Sequence, residues 1–281
     1  MPRKQASSTT HPEAIDRVPG PPGIEGVTGR SVDCILALED LGSTEDAVYW
    51  SGSLVEGLGN IGSDVDIYVV GRGVPKAPAL MHKKNFSIAI HFVGRRRIDF
   101  EYWPWQEALG LAETLDGIAV GQEFVADSLS PVEELFVHRL SIGVPLLSNP
   151  AWTELRSRFD FVRFRGYLTQ QAIHRIDGAV EDVVGMLDDA DLECAVYRAR
   201  DLVGLAFDAF ANHEGVPSLL PKWRPKLVDR LPPSALSSLV GREFRALSLP
   251  GPGVAGDRKD TERYVMRCMS LAETVTAWIQ G

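Results

Sequence analysis

The chain has 281 residues, 44% of them apolar, enough to fill one large core or two modest ones. Its formal net charge of −9 excludes an extended nucleic-acid track, which needs clustered Lys and Arg to displace counterions. Cys34, Cys194 and Cys268 are scattered and odd in number, which excludes a C-x-x-C zinc site and a disulfide framework. No apolar run approaches the ~18 residues of a membrane span, and the N-terminus lacks a signal-peptide core. The expectation is a soluble, cytoplasmic protein with reduced thiols.

Residues 1–30 include the stretch VPGPPGIEGVTG at 18–29. Such a segment buries too little apolar surface to offset the entropy of ordering, so a flexible arm is expected. Val32, Ile35 and Leu36 fall at helical spacing and predict a short helix between 31 and 41. A strand is expected at Ala47–Trp50, broken by Ser51, Gly52 and Ser53, and a second at Val65–Val70. A loop with Gly71, Gly73, Pro75 and Pro78 follows. Residues 87–93 (SIAIHFV) read as a third strand, Gly94 to Arg97 as a turn, and Ile98–Trp103 as a fourth strand paired back as a hairpin. The run Arg95-Arg96-Arg97 is the one dense basic patch and reads as a solvated hairpin end.

From Pro131 the period changes. Val132, Leu135, Phe136, Arg139 and Leu140 follow helical spacing, with Pro131 suited to a first turn. After a Pro- and Gly-containing link at 142–150, amphipathic stretches at 152–187, 190–213, 234–248 and 259–280 read as helices, with no strand among them. His138, His174 and His213 have no second His at ligand spacing and read as structural or exposed residues. The fold class expected is α+β. A mixed β-sheet domain flanked by helices would span 31–130, and an all-α helical bundle would span 131–281.

The acids carry the chemistry. In a strand alternate side chains share a face, so Asp64 and Asp66 are expected together, about 7 Å apart, and they repel unless a cation lies between them. Asp99 and Glu101 alternate the same way on the later strand, so either can supply a third carboxylate. Three converging oxygen ligands behind a small-residue turn suit a hard divalent cation bound to a nucleoside triphosphate.

Gly52-Ser53, a spacer of about ten residues, Asp64-x-Asp66 on a strand and an acid on a later strand together resemble the polymerase-β-like nucleotidyltransferase superfamily. The likeness covers roughly residues 35–125; beyond them it extends only to a helical C-terminal domain of the kind found in small-molecule nucleotidyltransferases. It implies that Gly52 and Ser53 bind the triphosphate, that Asp64, Asp66 and Asp99 hold two Mg2+ ions, and that Asp99 also serves as general base. Asp99 is preferred to Glu101 because the family places this acid early in its strand, after a single apolar residue. The implied reaction moves a nucleoside monophosphate, AMP from ATP foremost, to a hydroxyl of a small-molecule acceptor. Nucleotidylation of a protein or an RNA end is an alternative within the superfamily, and a non-catalytic nucleotide-binding module is one outside catalysis.

One segment of the helical half adds a candidate. Pro217 to Pro225 forms a stiff loop carrying Lys222, Trp223 and Arg224. Similar Lys-Trp loops face the cleft in small-molecule nucleotidyltransferases, which would put Lys222 on the triphosphate and Trp223 on the base. The same residues also read as a surface loop whose Trp anchors it to the core.

Overall fold

The computed structural model describes residues 23–42, 45–71, 75–76, 81–82, 86–120, 129–249 and 258–281. Most of the expected arm, residues 1–22, lies outside them. Its last part departs from the expectation: Ile24–Thr28 is a short helix, α1, whose Ile24 is only 4% exposed and packs beneath the sheet. Helix α2 (Val32–Leu36) follows, its N-cap Ser31 accepting from the Cys34 amide, and a 3-10 turn extends it over Ala37–Glu39.

Among the described residues the sheet has six strands: β1 (Ala47–Ser51), β2 (Val65–Gly71), β3 (Met81–His82), β4 (Ser87–Val93), β5 (Arg96–Pro104) and β6 (Val144–Pro145). Their spatial order is β3-β4-β5-β2-β1-β6, and β2 with β5 is the parallel pair in an otherwise antiparallel sheet. Burial on both faces explains why β1 and β2 are nearly continuous apolar runs. One face (Val48, Trp50, Val65, Ile67, Ile98, Phe100) packs on α1 and α2. The other (Tyr49, Tyr68, Val70, Trp103) packs on helices from later in the chain.

Those helices are α3 (Trp105–Gly117), α4 (Pro131–Ile142), α5 (Pro150–Ser157) and the first turns of α6 (Phe161–Asp188). Helix α3 was not expected from the sequence, although Ala108, Leu111, Ala112 and Leu115 give it a buried stripe at helical spacing. Helix α4 starts on a capping box between Ser130 and Glu133, with Pro131 in its first turn. The expected 152–187 helix is two helices. Asp160 accepts from the amides of Val162 and Arg163 and so restarts the chain as α6. The link at 142–150 contributes β6, a two-residue segment too short to show alternation, which pairs with β1.

The second core belongs to α6, α7 (Leu192–His213), α9 (Ala235–Ser248) and α10 (Arg258–Gln280), with α8 (Arg224–Leu227) at its edge. Leu58, from the loop after β1, is buried in this helical core. The stretch between β1 and β2 is therefore held by both halves of the chain. Among the described residues no helix is long and apolar enough to cross a membrane.

Candidate functional site

The parallel pairing of β2 with β5 sets Asp66 directly beside Asp99. Neighbouring strands lie ~4.8 Å apart, so two carboxylates on the same face at one register position are neighbours. Asp64 lies just before β2, which begins at Val65 as its expected bounds have it. It still belongs to the cluster, since its Oδ2 lies 3.8 Å from Nη1 of Arg97, whose other two nitrogens bond Asp99.

Burial comes first in raising the Asp66 carboxyl, to about 6, with the negative charges of Asp99 and Asp64 adding to it and Arg139 opposing it. The Asp99 carboxyl is also raised, again by burial, against the pull of Arg97. Like charges crowded into a part-buried cluster raise one another's pKa.

Gly52 closes β1 at the level of these acids, where Ser51 pairs with Asp66. Its φ is +96°, in the region that favours glycine, and a Cβ built there would lie 2.0 Å from Asp66 Oδ2. Any larger residue displaces the carboxylate. Past Gly52 the chain makes one helical turn, with the Glu56 amide on the Gly52 carbonyl and the Leu58 and Gly59 amides on the Ser53 carbonyl.

Several cations fix this turn. Lys226 donates to the Leu58 carbonyl at 2.5 Å, and Arg230 donates to the Glu56 carbonyl. Glu56 bonds His138 Nε2 and Arg139 through its two carboxylate oxygens, each at 2.9 Å. Burial raises the Glu56 carboxyl, but His138 and then Arg139 outweigh it and hold the group below its ordinary value. His138 is thus buried and structural.

Arg139, which the sequence did not single out for chemistry, is the main addition to the surroundings of the acids. It is 6% exposed, its carbonyl accepts from Ser51 Oγ at 2.7 Å, and its charge acts on Asp66 and Glu101. Periodicity placed it on α4, but nothing in the sequence joins α4 to β1 across 88 residues.

Glu101 sits one step deeper on the same face, opposite Tyr68, and accepts from Trp103 Nε1 at 2.6 Å. Burial first, and then the charge of Asp66, carries its carboxyl from 4.5 to about 7 against the Trp103 bond, which lowers it. The folded state therefore holds a proton that the unfolded chain has lost, so stability falls as pH rises from about 4.5 to 7. Glu101→Gln should match wild type near pH 4.5 and melt several degrees higher at pH 8, a gain on the order of 2 kcal/mol. Melting curves across that range check this; parallel pH profiles for the two proteins would contradict it.

The basic run is not a solvated end. Gly94, at φ +62°, and Arg95 make the turn, so Arg96 and Arg97 are already strand residues. Arg96 donates to the carbonyls of Ile61 and Ser63, which pins the loop leading into β2. Arg97 shares a face with Asp99 and grips both of its oxygens at 2.7 Å. Among the described residues no three His, Cys, Asp or Glu side chains stand as a ready metal cage.

The Lys222 loop lies against the turn after β1, where Trp223, Leu58 and Glu56 line one small cavity. The Lys222 and Lys226 ammonium groups lie 5.1 and 5.0 Å from the centre of the Trp223 ring, which packs against the helical core. Trp223 is accordingly an anchor, and Lys226 rather than Lys222 makes the described bond to the 53–58 turn. A separate cavity of about 810 Å³ lies among α6, α7 and the end of α10, lined by Arg165, Thr169, His174, Asp177 and Asn212, among others. Neither the acids nor Gly52 line it.

No family model and no curated protein sequence matches the chain. Among solved structures, a nucleotidyltransferase-like protein from Exiguobacterium sibiricum 255-15 overlaps 90% of this chain and 74% of its own, with a TM-score of 0.45 and 12% identity. The functional reading rests on the residues and not on that likeness.

Proposed function

We propose that this chain transfers a nucleoside monophosphate from a nucleoside triphosphate, ATP foremost, to a hydroxyl of a small-molecule acceptor, with release of pyrophosphate. The observation that supports it most is the register that sets Asp66 beside Asp99, next to a glycine turn with no room for a side chain. Carboxylate oxygens are the donors that magnesium takes, so the residue set fits the ion. Asp64, Asp66 and Asp99 would hold two Mg2+ ions, whose chemistry is to neutralise the triphosphate and lower the pKa of the acceptor hydroxyl.

In this reading Asp99 accepts the proton of the acceptor hydroxyl. The freed oxygen attacks the α-phosphorus, and the bond to the bridging oxygen of the β-phosphate breaks, so the electron pair leaves with pyrophosphate. Gly52 lets the backbone approach the phosphates and Ser53 gives them a hydroxyl donor. Arg139 lies behind Asp66 and tempers the repulsion in the cluster. Lys222, on its anchored loop, supplies a point charge to the triphosphate. An acidic site suits a cationic acceptor such as an aminosugar. The three free thiols suit a reducing cytoplasm. We assign the chemistry to residues 31–130 and acceptor selection to the helical residues 131–281.

Equilibrium binding of a non-hydrolysable ATP analogue tests the reading. Binding should require Mg2+ and vanish in chelator, and metal-independent binding would contradict it. A charge-assisted phosphate contact contributes about 1.5–3 kcal/mol, so Lys222→Ala should weaken analogue binding roughly 10- to 100-fold. An unchanged affinity would remove Lys222 from the site and leave its loop a purely structural anchor.

A further inference from the structure

We propose that Arg97 is a latch on the acid site: its guanidinium holds Asp99 and Asp64 until a divalent cation displaces it. This rests on the nucleotidyl-transfer reading of the same acids and adds a control to it.

Alternation along β5 gives Arg97 and Asp99 one face, and the guanidinium fork meets both Asp99 oxygens at 2.7 Å. A third nitrogen stands 3.8 Å from Asp64 Oδ2, so one side chain engages two of the three acids. Bidentate Arg–carboxylate pairs are the strong, geometrically fixed kind. The Asp99 side chain is 17% exposed, which limits how far water weakens the pair. The Arg97 side chain is 40% exposed, so its head can swing into solvent without a buried charge left behind.

Asp66 completes the picture. It lies beside Asp99 in the sheet yet has no bond from Arg97 among the described contacts, and the charge of the buried Arg139 acts on it more strongly than that of Arg97. With the latch closed, a divalent cation meets one available carboxylate and a fixed positive charge; with it open, it meets three carboxylates. Apparent affinity for the ion is then the intrinsic affinity multiplied by the open fraction. The three-arginine run thereby has a division of labour, Arg96 holding the loop and Arg97 guarding the acids.

Direct Mn2+ titration by calorimetry, without nucleotide, tests this on wild type, Arg97→Gln, Arg97→Lys and Asp66→Asn. Arg97→Gln should bind Mn2+ about 5- to 20-fold more tightly than wild type. Lysine keeps the charge but lacks the fork, so Arg97→Lys should also bind more tightly, by about 3-fold or more. It also serves as the informative variant if Arg97→Gln does not fold. Wild-type affinity in Arg97→Gln, with binding still lost in Asp66→Asn, would overturn the latch and leave the acid site standing. Wild-type affinity in Arg97→Lys would overturn it too, since charge alone would then explain the Gln variant. If no protein binds Mn2+ in an Asp66-dependent way, the nucleotidyl-transfer reading falls and the latch with it.

Discussion

Asp66→Asn should lose transfer activity by at least about 10³-fold while melting no lower than wild type at pH 8. The loss follows from removing one charge from a site where Asp66 serves both proposed ions; a misplaced general base alone typically costs about 10²- to 10⁴-fold. The stability result follows from the same charge. The Asp66 carboxyl is raised to about 6 by burial and by Asp99 and Asp64, so above that pH its ionised form is strained in the folded state. A neutral amide of the same shape relieves the strain. A variant that gains stability as it loses activity marks a residue kept for function. Asp99→Asn should be similarly inactive, whereas Glu101→Gln should keep a measurable rate. The opposite ranking of those two would give the third-acid role to Glu101.

Gly52→Ala should be the most damaging change at a residue without a functional side chain. The left-handed φ of +96° costs an L-residue about 1–2 kcal/mol. The new methyl would also start 2.0 Å from Asp66 Oδ2. Either the turn or the carboxylate must give way, so activity should fall by about 10²-fold or more, as for other misplacements near 1 Å. Stability should fall by roughly 2–4 kcal/mol. A double-mutant cycle separates the two causes. With Asp66→Ala in the background, the clash is gone and only the backbone cost remains, so Gly52→Ala should lower the melting temperature by less. Equal losses in both backgrounds would show that the carboxylate is not what excludes a side chain.

How much of this was legible in the sequence depends on the range of the forces involved. The alternation of Val65, Ile67 and Val69, and of Ile98, Phe100 and Tyr102, is a local signal, and those strands lie where it puts them. Their parallel pairing is not local. The expected hairpin of β4 and β5 is there, and β5 pairs in addition, in parallel, with β2. The outcome for Asp99 is nonetheless the expected one, beside Asp66.

The residues that support the acids were illegible for the same reason. Arg139 meets Ser51 and Glu56, and Lys226 meets Leu58, only because two halves of the chain fold together. Arg97 was readable in principle, since two residues before an acid on a strand is the same face. The turn was drawn two residues too long, and that hid it. Helix α3 carried a clear stripe of its own that went unread.

The most direct measurement is the fate of two labels on the nucleoside triphosphate. The protein is incubated with Mg2+ and fractionated small-molecule acceptors, with ATP carrying label at either the α- or the γ-phosphate. Nucleotidyl transfer requires the α label to appear on an acceptor and the γ label in pyrophosphate, in equal amounts, with both signals lost in Asp66→Asn. Movement of the γ label to the acceptor, or α-label transfer that survives Asp66→Asn, would contradict the assignment of this site.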